Sequence, residues 1–274
     1  MPPLDPTEML AAYDAHLRAY VPDPLPVGEV VERDGPLVRF LSPRGQGWIL
    51  YSDLGGIEGA ALDELIARQV AIFRQRGQKV EWKYHGHDLP ADLPDRLVAA
   101  GFVPQERETV VIGRVEDVAA PVVLPEGISL REVTDRAHLD RIDDLEAEVW
   151  GEDRTGLGEE LEREIAADPD AISVVVAEAA GRVVCAAWAR FPAGTRFVTF
   201  WGGATLAQWR RRGIYRATVA HRANLAADRG LRYIEVDASD DSNPILQRLG
   251  LIPVTTTTPY IWAPRGRTTG ATAA

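Results

Sequence analysis

The residues Gln208-Trp209-Arg210-Arg211-Arg212-Gly213-Ile214-Tyr215-Arg216-Ala217 decide how this chain folds. An apolar run over residues 197–206 precedes them and predicts a β-strand, which contains the pair Gly202-Gly203. Residues 214–229 have helical composition and stop before Gly230. The sequence therefore predicts a strand, a basic turn and a helix in immediate succession.

A turn of this kind is suited to binding an anion. The first backbone N–H groups of a helix have no intrahelical partner, and the helix dipole adds partial positive charge there. Gly213 permits a close approach of the backbone, and Arg210–Arg212 add charged groups whose geometry matches phosphate oxygens. Taken alone, the arginines also fit an ordinary solvated turn, because charge runs usually face water. The sequence farther along the chain favours a phosphate-bearing cofactor.

The segment Arg210–Tyr215 resembles the R/Q-x-x-G-x-G/A pyrophosphate loop of the GNAT superfamily, the acyl-CoA-dependent N-acyltransferases. The strand before it, with Ala204-Thr205-Leu206, is similar to the family strand whose main chain pairs with the pantetheine arm. Residues 242–253 resemble the short helix and turn usually written Y-x-K-L-G-F. The resemblance covers about residues 127–262 and depends on the order and spacing of these motifs together.

The resemblance implies a set of cofactor-binding residues. The N–H groups of residues 211–216 and the side chains of Arg210–Arg212 would hold the pyrophosphate, and the main chain after Ala204 would pair with pantetheine. Ser239 stands where the family often has a cofactor-contacting asparagine; Asn243, one turn later, could do the same or simply begin a helix. The co-substrate is expected to be acetyl-CoA or another acyl-CoA, with no metal. The full predicted set is Thr205, Leu206, Arg210, Arg211, Arg212, Gly213, Ile214, Tyr215, Arg216, Ser239 and Asn243.

Two residues depart from the family pattern. Tyr215 stands where the last Gly or Ala of the loop is usual, and Leu246 stands where the family often places a tyrosine general acid. The strand before the loop also lacks the carboxylate that many members carry there. Ordinary capping, solvation or packing remains an alternative for every acid–base candidate. The predicted catalytic residues are Asp237, Glu148 and Tyr215, with Glu152 and Asp240 as further carboxylates.

Acyl transfer to an amine needs few protein groups. The thioester is already activated, so much of the barrier reduction can come from holding the reactants in attack geometry. The amine must lose a proton to a base, and a backbone N–H near Thr205 could stabilise the thioester oxygen. The tryptophans 150, 188 and 201, with the loop 151–158, are expected to wall the acceptor pocket, although core packing is the usual role of such residues.

The chain has 274 residues and a net charge of −11, which argues against a general nucleic-acid binder and fits a cationic or amine-bearing acceptor. Its one cysteine, Cys185, excludes an intramolecular disulfide and fits a reducing compartment. The first residues lack signal-peptide features, and no apolar run approaches the roughly 20 residues of a membrane span. We therefore expect a cytoplasmic protein with no nucleic-acid or membrane partner; the sequence leaves the oligomeric state open.

The order of elements around the basic turn occurs earlier in the chain as well. A helix that stops at Gly77, a strand, and a short helix that stops at Gly101 repeat the order seen around Gly230 and Gly250. In the first copy the turn is Ser52–Glu58, whose acidic residues would repel a pyrophosphate. The first copy is therefore expected to be structural, or to bind something other than a CoA.

These observations predict an α/β (α+β) fold of two GNAT-like domains, each a mixed central sheet flanked by helices. The predicted boundaries are 1–114 for a degenerate domain, 115–126 for a linker, 127–264 for the acyl-CoA-binding domain and 265–274 for a disordered tail. The expected function is N-acetyl transfer from acetyl-CoA to a small-molecule or peptide amine. The alternative is a non-catalytic acyl-CoA-binding or interaction protein, which Leu246 and the missing strand carboxylate favour.

Overall fold

A computed structural model describes residues 3–43, 45–151 and 156–264 of the chain. These residues form two compact units, each assembled from two separate stretches of sequence. Unit 1 takes the chain up to Gly28 together with Glu108–Thr256, and unit 2 takes Glu29–Arg107 together with the chain from Thr257 onward.

The described chain contains helices and strands throughout. The helices are Pro6–His16 (α1), Gly59–Arg76 (α2), Leu93–Ala99 (α3), Val115–Val118 (α4), Arg136–Trp150 (α5), Leu157–Ala167 (α6), Ile214–Asp228 (α7) and Asn243–Arg248 (α8). The strands are Val30–Asp34 (β1), Leu37–Leu41 (β2), Gly47–Leu50 (β3), Val80–His85 (β4), Val103–Pro104 (β5), Glu108–Arg114 (β6), Ile128–Glu132 (β7), Ile172–Ala179 (β8), Arg182–Arg190 (β9), Phe197–Thr205 (β10), Tyr233–Ala238 (β11) and Ile252–Trp262 (β12).

Unit 2 is a mixed sheet packed against helices. Its strands lie in the order β1-β2-β3-β4-β12, with β3 and β4 parallel and the other neighbours antiparallel. Helix α2 buries an apolar face that includes Leu62, Ile66 and Phe73. It ends where Gly77 takes the left-handed conformation (φ 66°) that favours glycine. The glycine stop of this helix was predicted and is confirmed.

Unit 1 is a larger mixed sheet with helices on both faces. The strands lie in the order β6-β11-β10-β9-β8-β7, and of these neighbours only β10 and β11 are parallel. Alternate residues of a strand point to opposite faces. Ile234 and Val236 pack in the core cluster that holds α7 and α8, so Glu235 and Asp237 point to the other face, where α1 packs. Helices α5 and α6 cover the β8–β9 part of the sheet.

The repeated order predicted from the sequence is present in the structure. Each unit has a strand, a turn, a helix and a second strand parallel to the first: β3-α2-β4 in unit 2 and β10-α7-β11 in unit 1. The last strands of the two copies are exchanged, because β6 pairs with β11 and β12 pairs with β4. The units therefore do not follow the linear boundaries 1–114 and 127–264, and α4 lies within the stretch expected to be a linker.

The central mixed sheets flanked by helices confirm the predicted fold class. Local details differ from the sequence expectations. Helix α1 is capped by Asp5, whose Oδ1 accepts from the N–H of Thr7 at 2.8 Å. The next residue is a proline, which is favoured at the first position of a helix. Strand β1 was not predicted, since its sequence is half polar and partly exposed. The predicted tail 265–274 and the candidate Glu152 lie outside the described residues.

Among the described helices, none combines the length and apolar character needed to cross a membrane.

Candidate active site

The two parallel strands of unit 1 separate partway along their length. β10 pairs with β11 from Phe197 to Thr199, opposite Tyr233 to Glu235. Beyond this point β10 continues to Thr205 and β11 to Ala238, but no further register pairs join them in the described chain. Toward the carboxyl ends of the two strands, the edge of β10 that faces β11 is therefore open, meaning that β11 is not paired with it there. An open strand edge offers N–H and C=O groups to a ligand that contains amides.

A bulge interrupts β10 within this open region. Trp201 lies opposite Trp188 on β9, and the register then shifts between Gly202 and Ala204, which leaves Gly203 as an extra residue. Gly202 and Gly203 have φ values of 68° and 90°, in the region that favours glycine. A Cβ on Gly202 would lie 2.4 Å from the Trp188 ring, so no larger residue fits there.

The basic turn connects the bulged strand to α7. Arg210 donates from Nε to the Thr205 carbonyl at 3.0 Å, and the Arg212 guanidinium lies 4.8 Å from the centre of the Trp209 ring. Arg211 takes a left-handed conformation (φ 60°) that is unusual for a residue with a side chain. Gly213 precedes the helix at φ 86°, and no described side chain caps the α7 N-terminus. The first N–H groups of α7 therefore have no side-chain cap in the described chain, and groups of this kind can bind an anion.

The main chain at the end of β10 is already engaged within the protein. The Leu206 N–H donates to the Val184 carbonyl at 3.0 Å, and the Leu206 carbonyl accepts from the N–H of Trp209 at 2.8 Å. The Thr205 carbonyl accepts from Arg210, and the hydroxyl of Thr205 donates to the sulfur of Cys185 at 3.2 Å. Cys185 is buried, and burial raises the pKa of its thiol to about 11. The part of β10 that has no register partner on β11 thus lies before Thr205 and Leu206, between Thr199 and the end of the strand.

Tyr215 lies against the bulge. A Cβ on Gly203 would be 2.7 Å from Cε2 of Tyr215, so the ring covers the strand at its extra residue. Burial raises the pKa of the Tyr215 phenol above its ordinary value, which keeps it protonated at neutral pH. A side-chain hydrogen bond joins it to Ser242, just before α8. Tyr215 is thus a protonated phenol between the open edge and the start of α8.

The polar residues that follow β11 bond mainly to one another. The hydroxyls of Ser239 and Ser242 lie 3.2 Å apart, and the Ser239 carbonyl accepts from the N–H of Asn243 at 2.9 Å. The Asn243 side chain donates to Thr109 Oγ1 at 3.3 Å. Leu246 is fully buried in the core. Ser239 and Asn243 therefore have structural partners in addition to the cofactor role that the resemblance implies.

Carboxylates lie on the opposite face of the sheet from Tyr215 and α7. Glu235 and Asp237 share that face, and Glu235 is buried. Both carboxylates lie close enough to Tyr13 of α1 to add to the effect of burial, which raises the pKa of that phenol. Sequence reasoning singled out Asp237 and missed Glu235, although the two-residue period of a strand places both on one face.

Glu148 is placed differently. It is exposed, and its Oε2 accepts from Arg182 at the turn between β8 and β9. Two residues earlier on α5, Glu146 is buried (4% exposed), and its Oε2 accepts from the indole N–H of Trp150 at 2.8 Å. Glu146 was not among the sequence candidates. Its position in the apolar stripe that contains Leu139 and Ile142 is the signal that could have identified it.

Two of the three predicted pocket tryptophans are exposed. Trp201 is 39% exposed and Trp150 is 50% exposed, whereas Trp188 is 6% exposed and packs in the core. The Trp201 indole N–H donates to Thr199 at 2.8 Å, and the Arg190 guanidinium lies 4.8 Å from its ring centre. Trp201 therefore presents an apolar surface one residue before the bulge.

The corresponding region of unit 2 carries different polar groups. After β3 and β4, the hydroxyl of Tyr51 donates to Oδ2 of Asp88 at 2.5 Å, and the same oxygen accepts from the N–H of His85 at 2.8 Å. The turn before α2 lacks arginines in its described part, and Leu54 within it is buried. No group of His, Cys, Asp or Glu suited to a metal ion is found among the residues that the structure describes. Of the two described units, unit 1 is the one with an open edge beside a basic helix N-terminus.

Comparisons with known proteins identify the fold. No protein-family model matches the chain, and no curated protein matches it. The structure is similar to a GCN5-related N-acetyltransferase from Kribbella flavida (TM-score 0.63, 17% identity, covering 95% of this chain and 96% of the other). It is also similar to a tandem GNAT protein from the clavulanic acid biosynthesis pathway (TM-score 0.57, 13% identity, 95% and 97% covered).

A third similar structure is a GCN5-related N-acetyltransferase from Sphaerobacter thermophilus (TM-score 0.55, 17% identity, covering 86% of this chain and 82% of the other). Identities this low establish the fold rather than the reaction. The chain therefore has the fold of the GNAT N-acetyltransferases.

Proposed function

We propose that this protein is an acyl-CoA-dependent N-acyltransferase that transfers an acetyl group from acetyl-CoA to an amine in unit 1. The observation that carries the proposal is the separation of β10 from β11 after Thr199, beside the uncapped and arginine-rich start of α7. An open strand edge suits the amides of a pantetheine arm, and an uncapped helix N-terminus suits phosphates. The two features are contiguous in the chain, as one extended ligand requires.

Several groups of the turn are available to hold the co-substrate. The N–H groups of residues 214–216 begin α7, and Arg211, Arg212 and Arg216 are exposed beside them. Arg210 is tied to the Thr205 carbonyl through Nε, so its remaining N–H groups would face the ligand from a fixed position. Thr205 and Leu206 would then shape the end of the pantetheine site through the bonds that hold them, and Ser239 and Asn243 would border it.

The acid–base roles are assigned to polar groups near the open edge of β10. Acetyl-CoA supplies an activated thioester, so the protein must position the amine and move protons. We assign the general base to Asp237, at the carboxyl end of β11, and the proton donor for the leaving thiol to Tyr215, whose phenol stays protonated. Glu148 is the weaker candidate for the base, because Arg182 holds it at the surface.

The acceptor is proposed to be a small-molecule or peptide amine. The carboxylate of Asp237 favours a cationic group near the carboxyl end of β11, and the exposed ring of Trp201 offers an apolar wall. We assign this activity to unit 1, which contains most of the predicted domain 127–264, and we propose that the protein is cytoplasmic. We assign a structural role to unit 2, where the turn before α2 carries no arginine.

The proposal is tested by measuring thermal stability with and without acetyl-CoA, followed by CoA release over a panel of amines. We expect stabilisation by acetyl-CoA and turnover of at least one amine. Stabilisation without turnover of any amine would instead support a non-catalytic acyl-CoA-binding protein, and the absence of stabilisation would reject both functions.

The base is tested with two matched carboxylate variants. Asp237→Asn should lower kcat by about 100-fold or more, within the range that general acid–base groups contribute, with little change in acetyl-CoA affinity. Glu148→Gln, which removes the same charge from the surface, should leave kcat nearly unchanged. Equal losses in the two variants would argue against Asp237 as the base.

A further inference from the structure

Helix α7 contains an arginine in its interior. Arg222 is 2% exposed, in a helix whose other buried residues are small or apolar apart from Thr218. Burying a charge costs several kcal/mol unless its surroundings compensate for the lost water. Burial lowers the pKa of Arg222 to about 10, so the side chain still carries its charge at neutral pH. Because burying this charge is unfavourable, the contacts of the guanidinium must compensate for the water it has lost.

The hydrogen bonds of Arg222 go to main-chain carbonyls. Its Nη1 donates to the carbonyl of Trp188 at 3.0 Å and to the carbonyl of Trp201 at 3.2 Å. Its Nε donates to the carbonyl of Thr218, one turn earlier, at 3.1 Å. The guanidinium carbon also lies 4.3 Å from the centre of the Phe200 ring. The side chain therefore joins α7 to both β9 and β10.

The two strand carbonyls belong to residues that lie opposite each other in the β9–β10 ladder. The pair Trp188–Trp201 comes directly before Gly202, where the register begins to shift. A bulge disturbs the local ladder and leaves main-chain groups in need of other partners. Arg222 supplies such a partner at the position where the open part of β10 begins.

We infer that Arg222 is a positioning residue for acyl-CoA binding: it fixes the β10 bulge relative to α7, so that the strand edge and the helix N-terminus meet the same ligand. The inference rests on the proposed function. One rigid helix then carries the phosphate-binding turn at its start and the clamp on the pantetheine-binding strand two turns later. Replacing Arg222 should leave the fold largely intact, because a well-packed apolar residue often substitutes for a buried charge at little cost.

The inference is tested with Arg222→Met and a matched control, Arg229→Met. Arg229 lies at the end of α7, where it is exposed and bonds to the Asp170 carbonyl, away from the open edge. Arg222→Met should melt within a few degrees of the unsubstituted protein but bind acetyl-CoA at least tenfold more weakly. Arg229→Met should bind acetyl-CoA with unchanged affinity.

Two further measurements cover other outcomes. Arg222→Lys keeps the charge but lacks the guanidinium fork, so this variant should bind acetyl-CoA several-fold more weakly than the unsubstituted protein. It tests the inference if Arg222→Met does not fold. Amide hydrogen exchange without ligand should be faster over residues 199–206 in the Arg222 variants and unchanged in β7 and β8.

The results separate the inference from the proposed function. Unchanged acetyl-CoA affinity in a folded Arg222→Met variant, or in Arg222→Lys, would overturn the role of Arg222 and leave the proposed function standing. If the unsubstituted protein does not bind acetyl-CoA, the proposed function and the ligand-binding part of the inference both fail. Unchanged hydrogen exchange over residues 199–206 would overturn the claim that Arg222 holds the bulge.

Discussion

Replacing Gly203 by alanine tests how tightly the bulge and Tyr215 fit together. Gly203 has a φ of 90°, and a left-handed backbone costs an L-residue about 1–2 kcal/mol. The new Cβ would also lie 2.7 Å from Cε2 of Tyr215, closer than side-chain carbons normally approach. Forcing an extra methyl into a packed site costs about 1–3 kcal/mol. We therefore expect Gly203→Ala to lower the free energy of unfolding by about 2–5 kcal/mol.

Gly194→Ala provides the control for the backbone cost. Gly194 also has a left-handed φ (75°), but nothing lies within 4 Å of a Cβ placed there. Urea unfolding of both variants should show a loss of about 1–2 kcal/mol for Gly194→Ala and a clearly larger loss for Gly203→Ala. In a Tyr215→Ala background the excess should disappear, giving a coupling energy of about 1–3 kcal/mol. Equal losses in the two single variants, or no coupling, would refute the packing of Tyr215 on the bulge.

Two further predictions concern the turn and the phenol. The double variant Arg210→Glu/Arg212→Glu should weaken acetyl-CoA binding by roughly 100-fold, since a hydrogen bond to a charged group contributes about 1.5–3 kcal/mol; unchanged affinity by calorimetry would place the pyrophosphate elsewhere. Tyr215→Phe should lower kcat at least tenfold at every pH, because it removes the proton donor. In the unsubstituted enzyme, deprotonation of Tyr215 should not reduce kcat below about pH 10, because burial holds the pKa of the phenol above its ordinary value. A Tyr233→Phe control should keep full activity, and a normal kcat in Tyr215→Phe would remove the residue from the mechanism.

The local pattern of the sequence was sufficient to predict most elements around the site. The β8–β9 hairpin can be inferred from two β-branched runs around a turn at Ala180-Gly181, and the two strands are antiparallel in the structure. Helix α7 follows from its composition and from the glycine after it. The open edge of β10 could not be predicted, because the end of pairing with β11 depends on the register between strands that are distant in sequence.

Buried polar residues were the other limit of the sequence reasoning. Arg222 lies between His221 and Ala223 in a stretch with little apolar periodicity, so nothing local indicates that it faces the sheet. Glu146 and Glu235 have the composition of surface residues and become buried only through contacts with distant elements. The exchange of β6 and β12 was also beyond local patterns, because it depends on pairing between strands that are distant in sequence.

The exchanged strands have a consequence for cutting the gene. A fragment that begins at the predicted linker would lack α1 and β6 of unit 1, and it would carry Thr257–Trp262, whose partner strand lies in the removed half. It would present unpaired strand edges, which favour aggregation. The part of the chain with the complete sheet of unit 1 is instead residues 1–28 joined to 108–256. The sheet of either copy is therefore completed by the last strand of the other copy.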